Sequence, residues 1–296
     1  MARMQMGSQL AGPTVRRRRL GADLRRLREE SSLKLEEVAD QLGVAASTLS
    51  RIETGKAPTR TSYLALMLDL YAVTDPEYRR LLMDLAREGQ RRGWWVGSDD
   101  LLAAGAGDYL GLEAEAAVLR AFGVQVIPGL LRTTDYGRAV CAARRPDLRP
   151  EQVERLVTVQ QRRQEVLGGT DPIELRIVLD ESVLLRSVAP PRVMQGQLEH
   201  LVEASAAPMI TVQVLELAGP HRPVVAGSFA VLSFTEQDDA DVACAEGIRG
   251  QVLFEQRAAE VAGLRATFDA VSESALSPRA SAARIRDIAI NLARNF

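Results

Sequence analysis

Residues 35–55, LEEVADQLGVAASTLSRIETG, decide the fold of the N-terminal part of this chain. The apolar residues of the first half recur with the spacing of one helix face, and Gly43 then ends a short helix. A second short helix is predicted over 46–54, with Gly55 as its left-handed C-terminal cap. Two short helices separated by a glycine turn therefore form the centre of a small helical bundle.

Further helices are predicted on both sides of this pair. Leu20, Leu24 and Leu27 share one face of a preceding helix, whereas the arginines between them point elsewhere. A following helix is predicted over 61–71. The Asp-Pro-Glu sequence at 75–77 then supplies an N-cap, a proline at the first helical position and an acidic first turn for another helix.

The run over 20–58, LGADLRRLREESSLKLEEVADQLGVAASTLSRIETGKAP, resembles the helix-turn-helix domains of the Xre/Cro/phage-repressor family. The shared features are an alanine in the second helix, a Gly-Val turn and the ending S-R-I-E-x-G-K. The resemblance implies a DNA-binding domain, expected over 15–75, whose third helix enters the major groove of an operator. Because one such helix contacts few base pairs, we expect a homodimer on a two-fold operator.

The exposed side chains of the third helix are the expected DNA contacts. By the resemblance, base contacts are assigned to Ala46, Ser47, Ser50 and Arg51. Phosphate contacts are expected from Arg16, Arg19, Lys34, Thr48, Lys56 and Arg60. Arg51 is the best candidate for a base contact, because a guanidinium can bond to both O6 and N7 of guanine. Residues 16–19 either begin the first helix or form an arm along the DNA.

Two positions of this domain need separate interpretation. Members of the family often have serine at the position of Ala45, where a hydroxyl caps the recognition helix, so alanine is expected to cost about 1 kcal/mol unless Ser47 replaces it. Glu53 is interpreted as a structural residue, because DNA phosphates would repel its carboxylate.

The net charge of -2 conceals two parts of opposite charge. Up to Arg92 the chain has 17 basic and 12 acidic residues, which gives +5. The remainder has 20 basic and 27 acidic residues, which gives -7. We therefore expect nucleic acid to bind the N-terminal part and to avoid the acidic C-terminal part.

The C-terminal part, expected over 101–296, is predicted to be an α+β domain with a small sheet of three or four strands. Segments rich in valine and isoleucine predict strands over 173–180, 210–217 and 227–234. The segment DVACAEG is the candidate for a fourth strand.

Residues outside these two domains have their own expected roles. Residues 1–14 are predicted to be a flexible N-terminus, and 76–100 a linker helix and junction. LEAEAAVLRAF, over 112–122, predicts a helix of the C-terminal domain. Trp95 and His221 are candidates for an effector pocket, although a domain-interface plug and an ordinary loop residue are the simpler interpretations.

The phrases VIPGLLRTTDYGRA, VLDESVLLR and GSFAVLSF resemble, in order, the C-terminal domain of antitoxin-like Xre regulators of actinomycetes. The resemblance implies a transcription factor that is commonly encoded beside a small partner protein, and it implies no known ligand. Two interpretations stay open. The domain senses a small-molecule effector, or it is an antitoxin-like module that binds a small partner protein and autoregulates its operon.

Sequence motifs of enzymes are absent: no GxSxG, HExxH or GxxxxGK[ST] occurs. Asp180 and Glu181 are candidates for acid–base chemistry, but an acidic pair at a strand end more often caps the next helix. Two cysteines without a CxxC motif exclude a zinc finger. We expect no enzyme activity, no metal and no cofactor. Because no apolar stretch has the length of a membrane span or a signal peptide, we expect a cytoplasmic protein.

Overall fold

The chain forms two compact units in a computed structural model. The structure describes residues 13–89, 93–168, 172–218, 223–235, 240–247 and 250–294. The N-terminal unit comprises the described residues up to Val96 together with Asp108–Glu115. The C-terminal unit comprises Gly97–Gly107 and the described residues from Ala116 onward. The predicted flexible N-terminus, 1–14, lies outside the described residues except for its last two positions.

Within the described residues, six α-helices precede the first strand. They are α1 (Pro13–Glu30), α2 (Leu35–Leu42), α3 (Ala46–Glu53), α4 (Thr61–Leu70), α5 (Pro76–Gly89) and α6 (Ala106–Glu115). A short 3₁₀ turn, Val96–Ser98, lies between α5 and α6. The helical N-terminal region confirms the predicted fold class for this part of the chain.

One apolar core joins α1 to α5. It contains Leu20, Leu24 and Leu27 from α1, and also Leu82 and Leu85 from α5. The helix predicted as a linker is therefore part of the N-terminal bundle. The reason is physical: its apolar residues recur on one face, and that face is buried only by packing against the other helices.

Helices α1 and α3 cross closely at Gly21. A Cβ atom placed on Gly21 would lie 2.5 Å from the carbonyl oxygen of Ile52 and 2.6 Å from that of Glu53. Because these oxygens belong to the backbone, no small rotation of a side chain could relieve the contact. The missing side chain of Gly21 therefore allows α1 to reach the C-terminal end of α3.

The C-terminal unit contains one mixed sheet of six strands, where three or four were predicted. The strands are β1 (Val118–Gly123), β2 (Glu174–Asp180), β3 (Ile210–Leu215), β4 (Phe229–Ser233), β5 (Val242–Glu246) and β6 (Val252–Glu255). Their order across the sheet is β3-β2-β1-β4-β5-β6. The pairs β1/β2 and β2/β3 are parallel, and the pairs β1/β4, β4/β5 and β5/β6 are antiparallel.

Helices connect the parallel strands and follow the last strand. They are α7 (Thr134–Arg144), α8 (Pro150–Arg163), α9 (Ser182–Leu185), α10 (Pro191–Ala204), α11 (Ala258–Ser274) and α12 (Pro278–Arg294). Two 3₁₀ turns, Gly129–Leu131 and Gln164–Leu167, lie beside α7 and α8. Helices α7 and α8 connect β1 to β2, and α9 and α10 connect β2 to β3.

The two strands that the sequence did not predict are β1 and β6. The segment predicted as a helix over 112–122 is correct only as far as Glu115, where α6 ends; its remainder lies in β1. β1 is central and buried on both faces, so it lacks the alternation of polar and apolar residues that would identify a strand. β6 is a four-residue edge strand, too short to give a clear pattern.

Both faces of the sheet are buried at its central strands. One face packs against α11, through a cluster that includes Phe122, Val231 and Phe268. Residues of the opposite face, such as Leu119 and Ile177, are equally shielded from water. A sheet buried on both sides positions the loops at its ends rigidly.

We predict that Gly21→Ala destabilises the N-terminal unit, because the new methyl group would overlap two backbone oxygens. The expected loss in free energy of unfolding is about 1–3 kcal/mol. Urea unfolding followed by circular dichroism measures it. Gly263→Ala in α11 is the matched control, because a Cβ atom there meets nothing within 4 Å. That variant should gain up to about 1 kcal/mol from helix propensity. Equal effects of the two substitutions would contradict the close crossing.

Candidate nucleic-acid interface

The turn between α2 and α3 is built around Gly43. Its backbone is left-handed, with φ of 65°. The Gly43 N–H donates to the carbonyl of Asp40 at 3.1 Å, and the Val44 N–H donates to the carbonyl of Ala39 at 3.0 Å. These bonds close the end of α2, and the left-handed residue redirects the chain into α3.

The N-terminus of α3 has no side-chain cap. Ala45 occupies the N-cap position in an extended conformation, and no side chain accepts a hydrogen bond there. The absence of a hydroxyl cap at Ala45 is therefore confirmed, and Ser47 does not replace it. Uncapped N–H groups at a helix N-terminus attract anions, so this end of α3 is electrostatically suited to a DNA phosphate.

One face of α3 is exposed and polar. It contains Ser47, Ser50 and Arg51, while Leu49 and Ile52 lie on the buried face. Within the described residues, the Arg51 side chain has no hydrogen-bond or ion-pair partner. Its guanidinium is therefore available to a ligand without the loss of an existing contact.

Ala46, the remaining predicted base contact, lies differently. It is half-buried and packs against the core of the N-terminal unit. The physical reason is that Ala46 precedes Leu49 by three residues, which places both on the inner side of α3. Its methyl group therefore helps to anchor the helix, and the exposed polar face begins at Ser47.

Most of the predicted phosphate contacts are exposed around α3. This group consists of Lys34, Thr48, Lys56 and Arg60. The Arg60 guanidinium lies 5.8 Å from the ring centroid of Tyr63, a cation–π contact that limits its motion. The backbone N–H of Lys34 donates to the Glu37 carboxylate at 2.8 Å at the start of α2. The side chain of Lys34 takes no part in this bond, and the residue is exposed.

The arginines of 16–19 lie inside α1 and do not form a separate arm. Arg16 forms an ion pair with Glu115 at 3.3 Å, and its side chain is 19% exposed. Arg17 donates from Nε to the carbonyl of Gly89 at 2.6 Å. Arg19 is half-buried. A phosphate contact by Arg16 would therefore compete with an ion pair inside the N-terminal unit.

A buried ion pair holds α3 against α1. Arg28 donates from Nε to Glu53 Oε1 at 2.7 Å and from a terminal nitrogen to Oε2 at 2.9 Å. The side chains are 11% and 3% exposed, respectively. The hydrogen bond to Glu53 raises the pKa of Arg28 above its ordinary value. Glu53 is therefore structural, as predicted.

Sequence reasoning missed Arg28 and Gly21, although both left a signal. Arg28 follows Leu24 by four residues and therefore falls on the buried face of α1, where an arginine needs an anionic partner. Gly21 lies inside a helix, where glycine costs about 1 kcal/mol relative to alanine and so indicates a close contact.

Of the two residues predicted for an effector pocket, the structure describes only Trp95, and the pocket stays a prediction. Trp95 is buried in the N-terminal unit, edge-on to Trp94 with 5.5 Å between ring centroids. Its indole also fills the space beside Gly93. His221 lies outside the described residues.

The acidic pair after β2 is held by structural contacts. The Asp180 carboxylate accepts from the Ser182 N–H at 3.0 Å and so begins α9. Glu181 is buried, and its carboxylate accepts from Arg284 Nε at 2.6 Å and from the Leu217 N–H at 3.0 Å. Both carboxylates therefore join elements of the C-terminal unit.

Two features are absent from the described part of the chain. No group of three or more His, Cys, Asp or Glu residues there is arranged to hold a metal ion. No helix there combines the length and apolar character needed to cross a membrane.

Comparison with known families matches both units. A helix-turn-helix domain matches residues 19–81, which include α2, the Gly43 turn and α3. A domain of unknown function (DUF5753) matches residues 106–287, more than half of the chain. The chain belongs to the DUF5753 family. No curated protein and no solved structure matches it.

The two family matches cover different parts of this DUF5753 protein. The helix-turn-helix match covers the exposed face of α3 and the ion pair that holds it, and it supports a DNA-binding regulator. The DUF5753 match covers the whole six-stranded sheet. DNA binding is therefore a property of the N-terminal unit.

We predict that Glu53→Ala strongly destabilises the N-terminal unit, because it leaves the buried guanidinium of Arg28 without its carboxylate. Breaking a buried pair from one side costs about 3–5 kcal/mol. Asp84→Ala is the control: Asp84 forms an exposed pair with Arg87 on α5, and such pairs contribute about 0–1 kcal/mol. Urea unfolding of both variants measures the difference. A loss no larger for Glu53→Ala than for Asp84→Ala would show that the buried pair does not hold α3.

Proposed function

We propose that this protein is a sequence-specific transcriptional regulator of the Xre type that inserts α3 into the major groove of its operator. The observation behind the proposal is the exposed polar face of Ser47, Ser50 and Arg51 on a helix whose other face is fixed in the core. A rigid helix with a free guanidinium can form bidentate hydrogen bonds with guanine. The helix-turn-helix match over 19–81 supports this assignment.

Each part of the interface has a distinct role in the proposal. Arg51 reads a base, and Ser47 and Ser50 contact base edges or nearby phosphates. The exposed group around α3, which is Lys34, Thr48, Lys56 and Arg60, contacts phosphates and sets the register of the domain on the duplex. The uncapped start of α3 adds N–H groups to these contacts.

The regulator acts as a homodimer in this proposal. A single α3 presents only four exposed polar side chains, Ser47, Thr48, Ser50 and Arg51, which is too few to select one operator in a genome. Two copies related by a two-fold axis would place their α3 helices in successive major grooves, about 34–36 Å apart. Sedimentation of the free protein and the spacing of half-sites in its operator would test this.

We predict that Arg51→Ala weakens specific binding about 10- to 100-fold and relaxes the base preference at one position of each half-site. The operator is first selected from random duplexes, and fluorescence anisotropy then gives the affinities. Arg87→Ala is the control, because Arg87 lies on α5 in an exposed ion pair with Asp84. Lys56→Gln should weaken all sequences equally and reduce the salt slope by about one. Unchanged affinity and preference for Arg51→Ala would refute the role of α3.

For the C-terminal unit, we propose that it receives the regulatory signal and that the protein is not an enzyme. Its sheet is closed on both faces, and the acidic pair after β2 is committed to structural contacts. The signal is a small-molecule effector in the leading version of this proposal.

A second version treats the C-terminal unit as an antitoxin-like module, as in the actinomycete regulators that the sequence resembles, which binds a small partner protein and autoregulates its operon. One observation favours it. Within the described residues β6 pairs with no strand other than β5, and Leu253 is 56% exposed. The Val252 N–H donates to the Ala104 carbonyl at 2.8 Å, so only the edge beyond Val252 is open. An exposed edge can accept a strand from another chain.

We predict that a partner protein, if this version holds, binds along β6. The product of the neighbouring gene is co-expressed with the regulator, and the complex is tested by size-exclusion chromatography. Leu253→Lys should abolish the complex, because a charge on the edge opposes strand addition. Leu66→Lys, at an equally exposed leucine of α4, is the control. No complex at micromolar concentration would rule out this version.

A further inference from the structure

Several arginines converge on the loop that follows β1. This loop passes through the 3₁₀ turn Gly129–Leu131 and leads into α7. Arg132 donates from Nε to the carbonyl of Ile127 at 2.6 Å. The Ile127 N–H donates to the hydroxyl of Tyr136 at 3.4 Å. The backbone carbonyl and N–H of Ile127 therefore hold the side chains of Arg132 and Tyr136 close to each other.

Arg163, the last residue of α8, reaches the same loop. A Cβ atom on Gly129 would lie 2.6 Å from one terminal nitrogen of Arg163 and 2.9 Å from its Cζ. The guanidinium of Arg163 therefore rests against the backbone of the loop, in space that a side chain at position 129 would fill. Gln164 secures this contact, because its Nε2 donates to the carbonyl of Arg132 at 2.6 Å.

Arg132 lies among other positive charges. Burial, and then the charges of Arg144 and Arg163, lower the pKa of Arg132 below its ordinary value. Arg144 also pairs with the carboxylate of Glu246. Like charges near a buried guanidinium favour an added anion.

A buried donor on α8 also lacks an acceptor. Gln160 is 8% exposed, and its Nε2 has no hydrogen-bond partner within the described residues. It lies one helical turn before Arg163 on the same face of α8. Its amide occupies the space beside Gly137, next to Tyr136 in α7. Because buried donors are nearly always paired, this amide indicates that a further acceptor belongs there.

The position of the cluster in the sheet is also informative. The chain runs from β1 to β2 and β3 on one side, and β4 then pairs with β1 on the other side. The loop after β1 therefore lies at the carboxyl end of the strand where the order reverses. In open sheets with parallel strands, ligands bind at such points.

We propose that Arg132 and Arg163 bind a small molecule that carries a phosphate or several carboxylates. Guanidinium groups suit this chemistry, because their planar fork donates two parallel hydrogen bonds to one anionic group. Tyr136 and Gln164 position the arginines, and Gln160 supplies a neutral donor. Arg132 is half-buried and Gln160 is buried, so the site is recessed and favours a small anion over an acidic protein surface.

This proposal supplies a chemical class for the effector. The idea that the bound anion serves as the regulatory signal rests on the proposed function, whereas binding of the anion does not. The two are measured separately: anion binding without DNA, and operator binding without the anion. A negative result for anion binding therefore does not contradict operator binding, and a negative result for operator binding does not contradict anion binding.

The test is isothermal titration calorimetry of the full chain with sodium pyrophosphate and with sodium citrate. We expect saturable binding of one of them, which distinguishes a phosphate from a polycarboxylate, and no comparable heat from sodium chloride at matched ionic strength. Arg132→Gln and Arg163→Gln should each weaken binding about tenfold or more. Arg138→Gln is the control, because Arg138 lies on α7 but pairs with Asp135 and Glu154 at the surface.

If Arg132→Gln does not fold by circular dichroism, Arg163→Gln alone decides the test. Unchanged binding in that variant, equal heats from chloride, or no saturable binding of either anion would overturn the proposal. Binding of a polyglutamate peptide at these arginines, with neither pyrophosphate nor citrate bound, would also overturn it and assign the cluster to an acidic protein partner.

Discussion

The buried ion pair between Arg28 and Glu53 is the contact on which the DNA-binding unit depends. It joins α1 to the last residue of α3, and the close crossing at Gly21 brings the two backbones near enough for it to form. With one face of α3 fixed in this way, its other face presents Ser47, Ser50 and Arg51 at a constant orientation. Specific base contacts require this constancy, because hydrogen bonds to base edges depend on direction.

The same pair explains how charge is distributed in the N-terminal unit. Its arginines do not act as one basic patch. Arg28 and Arg17 are committed to the fold, Arg16 is paired with Glu115, and Arg51 is left without a partner in the described residues. An average charge of +5 therefore conceals a division between arginines that build the helix bundle and those that remain for DNA.

The C-terminal unit uses its arginines differently. Arg132 and Arg163 meet at a loop where the order of the strands reverses, and they do so within the acidic part of the chain. A local cluster of this kind does not appear in the net charge of -7, because it joins residues that are distant in the sequence. The proposed anion site is therefore independent of the basic charge of the N-terminal unit.

The sequence alone determined the helix-turn-helix and the strands β2, β3 and β4, because amphipathic periodicity and the Gly43 turn are local properties. It also identified Glu53 as structural. Only the tertiary structure decided that Arg28 is the partner of Glu53, that α5 belongs to the bundle, that residues 118–123 form the central strand, and that arginines gather after it. Each of these depends on which distant segments come into contact, and β1 in particular lacks alternation because neighbours cover both of its faces.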